Sequence, residues 1–244
     1  LQKPTLPSNP DHTGVKLAAL KAAFPHTLPV LTGFSFLGIA YGILMSSKGY
    51  GLLWTTLMSL IGFAGSAQYV AIIALTTVFN PINAFLVTLM VNARHLFYGI
   101  SMLDRYKGTG KFKPYLIFGL CDETFSIVRM VDPPSGIDRR WFMFFITLLD
   151  HLYWVTGSAV GALLGGAVAF NTQGLDFVLT ALFVVIFTGQ WKHKQNRRPA
   201  AIGLAATALC LLILGRDHFV IPAMVTILVV LTLLRPQLAG EERT

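Results

Sequence analysis

The sequence predicts an all-α, polytopic integral membrane protein of seven to eight transmembrane helices, and three observations carry that expectation. Hydrophobic residues make up 54% of the 244 positions and charged residues only 12%, a composition far from that of soluble domains. The apolar residues gather at 27–46, 52–78, 82–104, 114–131, 141–170, 174–191, 199–215 and 218–235, most of them near the ~20 residues that a bilayer crossing needs. Lys and Arg fall between these stretches, so the net charge of +8 reads as loops facing anionic headgroups rather than as a nucleic-acid footprint.

Taken in order, residues 1–23 form a tail. Leu1–Asn9 is polar and proline-rich, with no basic segment and compact apolar core of the secretory kind. From Asp11 to Phe24 apolar residues interleave with Lys16 and Lys21, the pattern of an interfacial helix. Residues 24–236 form the membrane domain and 237–244 a short C-terminal tail. With the N-terminus in the cytoplasm and eight spans, twelve loop cations lie inside and six outside, which favours that orientation. Arg105, Lys107, Lys111 and Lys113 sit on the wrong side in this count, as a miscounted span would place them.

Two stretches are irregular. The second contains Gly62-Phe63-Ala64-Gly65-Ser66-Ala67-Gln68-Tyr69, and small residues at that depth predict a helix break whose loosened backbone groups need a cavity or neighbours. The fourth is short and carries Asp122, Glu123 and Arg129, while the fifth is long and contains Gly157, Gly161, Gly165 and Gly166, so one of the two is expected to be re-entrant or broken. Gly65-Ser66-Ala67 recurs as Gly157-Ser158-Ala159, Phe85 as Phe177 and Thr88 as Thr180, few matches in a low-entropy alphabet that read either as an inverted repeat or as chance. The pairs Gly38–Gly42, Gly157–Gly161 and Gly161–Gly165 have small-xxx-small spacing and read as helix packing, with faces also open to a partner helix.

The polar residues inside the spans are the candidate site. A half-helix starting at Gly65-Ser66 would aim free N–H groups at an anion, and Gln68 needs polar company in lipid; tight packing is the alternative for this run. Arg94 and Tyr98 share one helical face, and Asn92 and His95 the next stripe. Arg94 could reach the interface, but Asn92 and His95 are too short for that. Asp122 and Glu123 are intramembrane carboxylates, read either as ligands for an ammonium group or as ion-pair partners of Arg94. Asp150 and His151 are adjacent, and an acid beside a histidine in a lipid span suits proton handling; a plain hydrogen bond to a neighbouring helix is the alternative for Asp150. Cys121 and Cys210 read as small buried hydrophobes. No zinc-ligand spacing, nucleophile elbow or phosphate loop occurs, so no metal, cofactor or enzymatic chemistry is expected.

Together these features suit a secondary transporter of a small zwitterion: an anion-binding group for the carboxylate, an acid or carbonyls for the ammonium, and an apolar pocket. Rival readings are an intramembrane enzyme acting on a lipid-borne substrate and a passive channel. The runs Ala64-Gly65-Ser66-Ala67-Gln68, Val91-Asn92-Ala93-Arg94-His95-Leu96-Phe97-Tyr98-Gly99, Cys121-Asp122-Glu123-Thr124-Phe125 and His151-Leu152-Tyr153-Trp154 resemble, in order and spacing, the AzlC family. The resemblance runs from about Phe24 to Arg198. It implies the large permease subunit of a two-component exporter in a bacterial inner membrane. The implied substrates are leucine, isoleucine, valine and methionine, the implied drive is protons, and the implied partner is a small AzlD-type membrane subunit.

Overall fold

The computed structural model describes residues 12–76, 78, 80–167, 177, 180, 181, 184, 187, 188, 191, 192, 194–215 and 219–240, and every regular element among them is helical. The chain divides into two compact units, 1–175 and 176–244. The first holds α1 (His12–Ser47), α2 (Leu52–Gly62), α3 (Gly65–Thr76), α4 (Pro81–Met102), a 3-10 turn (Gly110–Phe112), α5 (Lys113–Phe118), α6 (Asp122–Met130) and α7 (Arg139–Ala167). The second holds α8 (Lys194–Leu214) and α9 (Val220–Gly240), which pack on each other. Among the described residues, three helices are long and apolar enough to cross a membrane: α1, α7 and α8. The expected stretch at 174–191 lies largely outside the described residues.

His12–Phe24, expected as a separate interfacial helix, is the first part of α1. At 36 residues α1 is about 54 Å long, well beyond a ~30 Å hydrocarbon core, so its Lys-bearing end extends past the apolar layer. It packs along α7 in parallel. An added Cβ at Gly42 would lie 2.2 Å from the Ser158 carbonyl oxygen and one at Gly161 2.1 Å from the Ile39 carbonyl oxygen, so the two backbones touch as the small-residue spacing predicts. The expectation that these faces also receive a partner helix is corrected here: Gly38, Gly42, Gly157, Gly161 and Gly165 are covered by the other helix of the same pair.

The second apolar stretch is not one crossing but a hairpin. Collinear α2 and α3 would place their outer ends about 35 Å apart, yet the Tyr50 hydroxyl, just before α2, donates to the Leu75 carbonyl near the end of α3 at 2.9 Å. The turn is Phe63-Ala64, inside the predicted break, with Phe63 at φ 27°. Such a conformation is costly for a bulky side chain and persists because Phe63 is wedged against Phe34, Phe118 and His151.

The fourth stretch is a second hairpin, turning at Gly119–Cys121. Along α5, Phe112 meets Trp141, Tyr115 meets Phe144 and Phe118 meets His151, so this arm ascends α7. Along α6 the order reverses, from Thr124 on Asp150 to Val128 in the cluster with Phe142, Met143 and Ile146. Arg105, just past α4, closes the base by donating to the Val128 and Val131 carbonyls, both at 2.7 Å, and pairing with Asp132 at 2.8 Å. The long fifth stretch, by contrast, is the continuous α7. Its regularity also separates Gly157, mid-helix, from Gly65, which opens a helix after a break, so these two matched segments differ in local backbone.

Both hairpins belong to a recurring pattern, a long helix followed by a hairpin: α1 with α2–α3, then α4 with α5–α6. The hairpins enter from opposite ends. Lys16 lies over Trp141 at 4.9 Å and Arg139 donates to the Arg105 carbonyl, so the start of α1, the start of α7 and the base of α5–α6 share one end. Asp138 caps α7 there, its Oδ1 accepting from the Arg140 and Trp141 amides at 2.8 and 3.4 Å. The Arg140 side-chain hydrogen bond holds the Asp138 carboxyl below its ordinary range, so this contribution is present above the unfolded value near ~4 and fades as pH falls through the folded value. Asp138→Ala is expected to lower stability at neutral pH by about 1 kcal/mol and to change little once wild-type Asp138 is protonated, as thermal unfolding at both pH values would register.

Candidate functional site

Both turns lie beside the middle of α7, between Thr147 and Trp154, and most of the residues singled out from the sequence gather around them. At the first turn, helix α2 ends and α3 begins without a shared ladder, so carbonyls at the end of one and N–H groups at the start of the other lose intrahelical partners. Gln68, in the first turn of α3, is almost wholly buried. Its amide donates to Ser59 Oγ at 3.3 Å and accepts from the Trp154 indole N–H at 2.7 Å. That answers the polar need that the sequence flagged. Gly65 lies against the Trp154 ring, where an added Cβ would stand 3.2 Å from the nearest carbon.

Arg94 projects from α4 to the start of α3, donating from Nη2 to Ser66 Oγ at 2.9 Å, and the same nitrogen lies 3.1 Å from Asp122 Oδ2. Of the two readings for the acids, Asp122 is therefore the ion-pair partner of Arg94. Glu123 lies within electrostatic reach of Arg94 and Asp122, and both acids occupy the first turn of α6, where the helix dipole favours negative charge. His95 feels the same Arg94 and Asp122 charges and sets its ring edge-on to Tyr98, which stacks on Phe125 of α6 at 4.4 Å. Asn92 lies one turn earlier, its Oδ1 buried without a hydrogen-bond partner among the described residues.

Asp150 and His151 form a neighbouring pair on α7. Asp150 is fully buried; its Oδ2 accepts from the Thr124 hydroxyl at 2.9 Å and its Oδ1 has no hydrogen-bond partner among the described residues. The His151 Nδ1 and the Tyr115 hydroxyl share a hydrogen bond of 3.1 Å, while Nε2 is buried without a hydrogen-bond partner among the described residues. Thr124, Ser59 and Tyr115 had no role in the sequence reading, because a hydroxyl within a helix commonly bonds its own backbone and only the fold shows otherwise. Three or more His, Cys, Asp or Glu placed to hold a metal are not found among the described residues.

The arrangement can place a carboxylate at the N–H groups of α3 and the Arg94 guanidinium, and an ammonium group at carboxylates and end-of-helix carbonyls. Gly65→Leu is expected to abolish activity while leaving the chain in the membrane, because it drives a side chain into Trp154 and breaks the Trp154–Gln68 bond; wild-type rates from the variant would refute this.

The profile of the family described as "AzlC protein" matches residues 29–168. A relative from Bacillus subtilis (strain 168), "Branched-chain amino acid transport protein AzlC", is 52% identical over 99% of this chain and 95% of its own. An "Uncharacterized membrane protein" of Haemophilus influenzae is 44% identical over 91% of this chain and 92% of its own. The "Inner membrane protein YgaZ" of Escherichia coli (strain K12) is 27% identical over 75% of this chain and 77% of its own. No solved structure matches.

Proposed function

The chain belongs to the AzlC family of membrane proteins, and from that premise we propose that it is the large subunit of a secondary transporter that moves branched-chain amino acids out of the cell. The observation that carries this reading is the meeting of two broken helical hairpins halfway along α7, around a single bridging arginine. Half-helix ends meeting at mid-membrane are the device by which transporters hold small charged solutes. The relative from Bacillus subtilis, named for branched-chain amino acid transport, supplies the substrate class.

In this reading the substrate carboxylate is held by Arg94, Ser66 and the first N–H groups of α3, with Gly65 allowing close approach. The ammonium is held by Glu123 and by carbonyls at the end of α2. Gln68, Asn92, His95, Tyr98 and Asp122 shape and fasten the surrounding wall. Asp150 takes and releases the proton, with His151 and Tyr115 as its relay, and a small AzlD-type subunit completes the complex.

In this reading the hairpins are re-entrant from opposite faces of the membrane, α1 and α7 cross it, and α4, whose 22 residues are long enough but are made less apolar by Asn92, Arg94 and His95, crosses between them. Charge supports that topology. With α5–α6 returning to its own side, Arg105, Lys107, Lys111 and Lys113 join Lys16, Lys21, Arg139 and Arg140 on the cytoplasmic face, and the conflict in the eight-span count disappears. The test is counterflow of labelled leucine in proteoliposomes, with and without the small subunit. Saturable exchange blocked by unlabelled isoleucine and valine is expected. Non-saturable leucine flux would favour a channel, and absence of leucine movement with both subunits present would overturn the reading.

A further inference from the structure

One nitrogen of Arg94 fastens the return arms of both hairpins, since Ser66 is the second residue of α3 and Asp122 the first of α6. This bridge is partly exposed where its neighbours are buried. The Arg94 and Asp122 side chains are 31% and 25% exposed, whereas Gln68 and Asp150 are buried. Charges at such depth face an aqueous cavity rather than lipid. A planar guanidinium is at its best with one carboxylate held by two parallel bonds, and here a carboxylate of the protein itself makes one contact with it, Nη2 to Asp122 Oδ2.

We propose that Arg94 exchanges carboxylates during the cycle: the α-carboxylate of the bound amino acid displaces Asp122, and the loss of that bridge frees the tips of the two hairpins to part. The inference rests on the amino-acid reading of this centre and adds to it the event that links binding to movement. A ligand moves a conformational equilibrium only through contacts that differ between states, and replacing an internal carboxylate by one that arrives and leaves is such a difference. Asp122 is then a competitor of the substrate and not one of its ligands, which fixes the sign of the effect when its charge is removed.

The experiment is equilibrium binding of labelled leucine to the full chain together with the small subunit in nanodiscs, wild type against Asp122→Asn. Removing a competitor held by a partly exposed ion pair is expected to tighten binding about fivefold. Weaker or unchanged binding by the variant, with the wild type binding leucine, overturns the exchange and leaves the amino-acid reading intact. Absence of leucine binding to the wild type overturns that reading and the exchange with it. A second measurement covers a variant that does not fold: spin labels on Cys121 and on Ala64→Cys, in a Cys210→Ser background, report the distance between the two turns. Leucine is expected to lengthen it, and an unchanged distance overturns the proposal.

Discussion

Gly161→Leu leaves little folded protein in the membrane, the largest loss of stability expected from any single change described for this chain. A Cβ at position 161 would stand 2.1 Å from the Ile39 carbonyl oxygen and 2.7 Å from its Cα. These are backbone atoms of the facing helix, so no rotamer change relieves the overlap and α1 must move away from α7. That separation also disturbs the Tyr41–Trp154 stack and the Phe34–Trp154 edge contact, which lie in the same interface. Overpacking a well-filled interior commonly costs about 1–3 kcal/mol, and a clash between two backbones belongs above that range. Gly166, where an added Cβ would meet Ser46 Oγ at an ordinary 3.7 Å, is the matched control. Fluorescence-detected size exclusion after heating should show Gly161→Leu aggregating far below the wild type and Gly166→Leu close to it. Equal midpoints for all three proteins would show that the α1–α7 interface yields more easily than its geometry indicates.

The spacing of Gly38, Gly42, Gly157 and Gly161 made that interface legible in the sequence, because small residues four apart have few other uses in lipid. The break at Gly62–Tyr69 was legible for a similar reason. What hydropathy could not convey is direction: 52–78 has the length of a crossing, and only the Tyr50–Leu75 hydrogen bond shows that the chain turns back. The fourth stretch, expected together with the fifth as a place for a break, is the one that turns, but the position of its turn was hidden because Gly119-Leu120-Cys121 is too apolar to punctuate it. Within the site, the ionisable residues were visible because charge in a span stands out. Their partners were not. Whether Asp122 or Glu123 meets Arg94, and that Thr124 meets Asp150, depends on which way each hairpin arm faces, and spacing within a single helix carries no such information.

Asp150→Asn retains leucine/leucine exchange and loses accumulation driven by a pH gradient, which falls to the level of vesicles with no gradient. Asp150 lies near the middle of α7 with no exposed surface, so its charge is stabilised only by what surrounds it. One oxygen accepts from Thr124 and the other has no hydrogen-bond partner among the described residues, an arrangement that leaves a negative carboxylate poorly compensated and lets a proton bind without displacing an existing bond. Thr124 belongs to α6, the return arm that begins at Asp122, so the charge on Asp150 bears on the same hairpin that Arg94 holds. Asparagine keeps the shape and can accept the Thr124 hydrogen bond, while it cannot carry a proton across the cycle. Binding and movement of the amino acid should therefore continue without coupling. Thr124→Ala provides the contrast, since it removes the hydrogen bond and keeps the titratable group, and gradient-driven accumulation should persist there at a reduced rate. If Asp150→Asn still accumulates leucine against a pH gradient, the proton travels by another group, and Glu123, the remaining acid at this centre not committed to Arg94, becomes the residue to replace next.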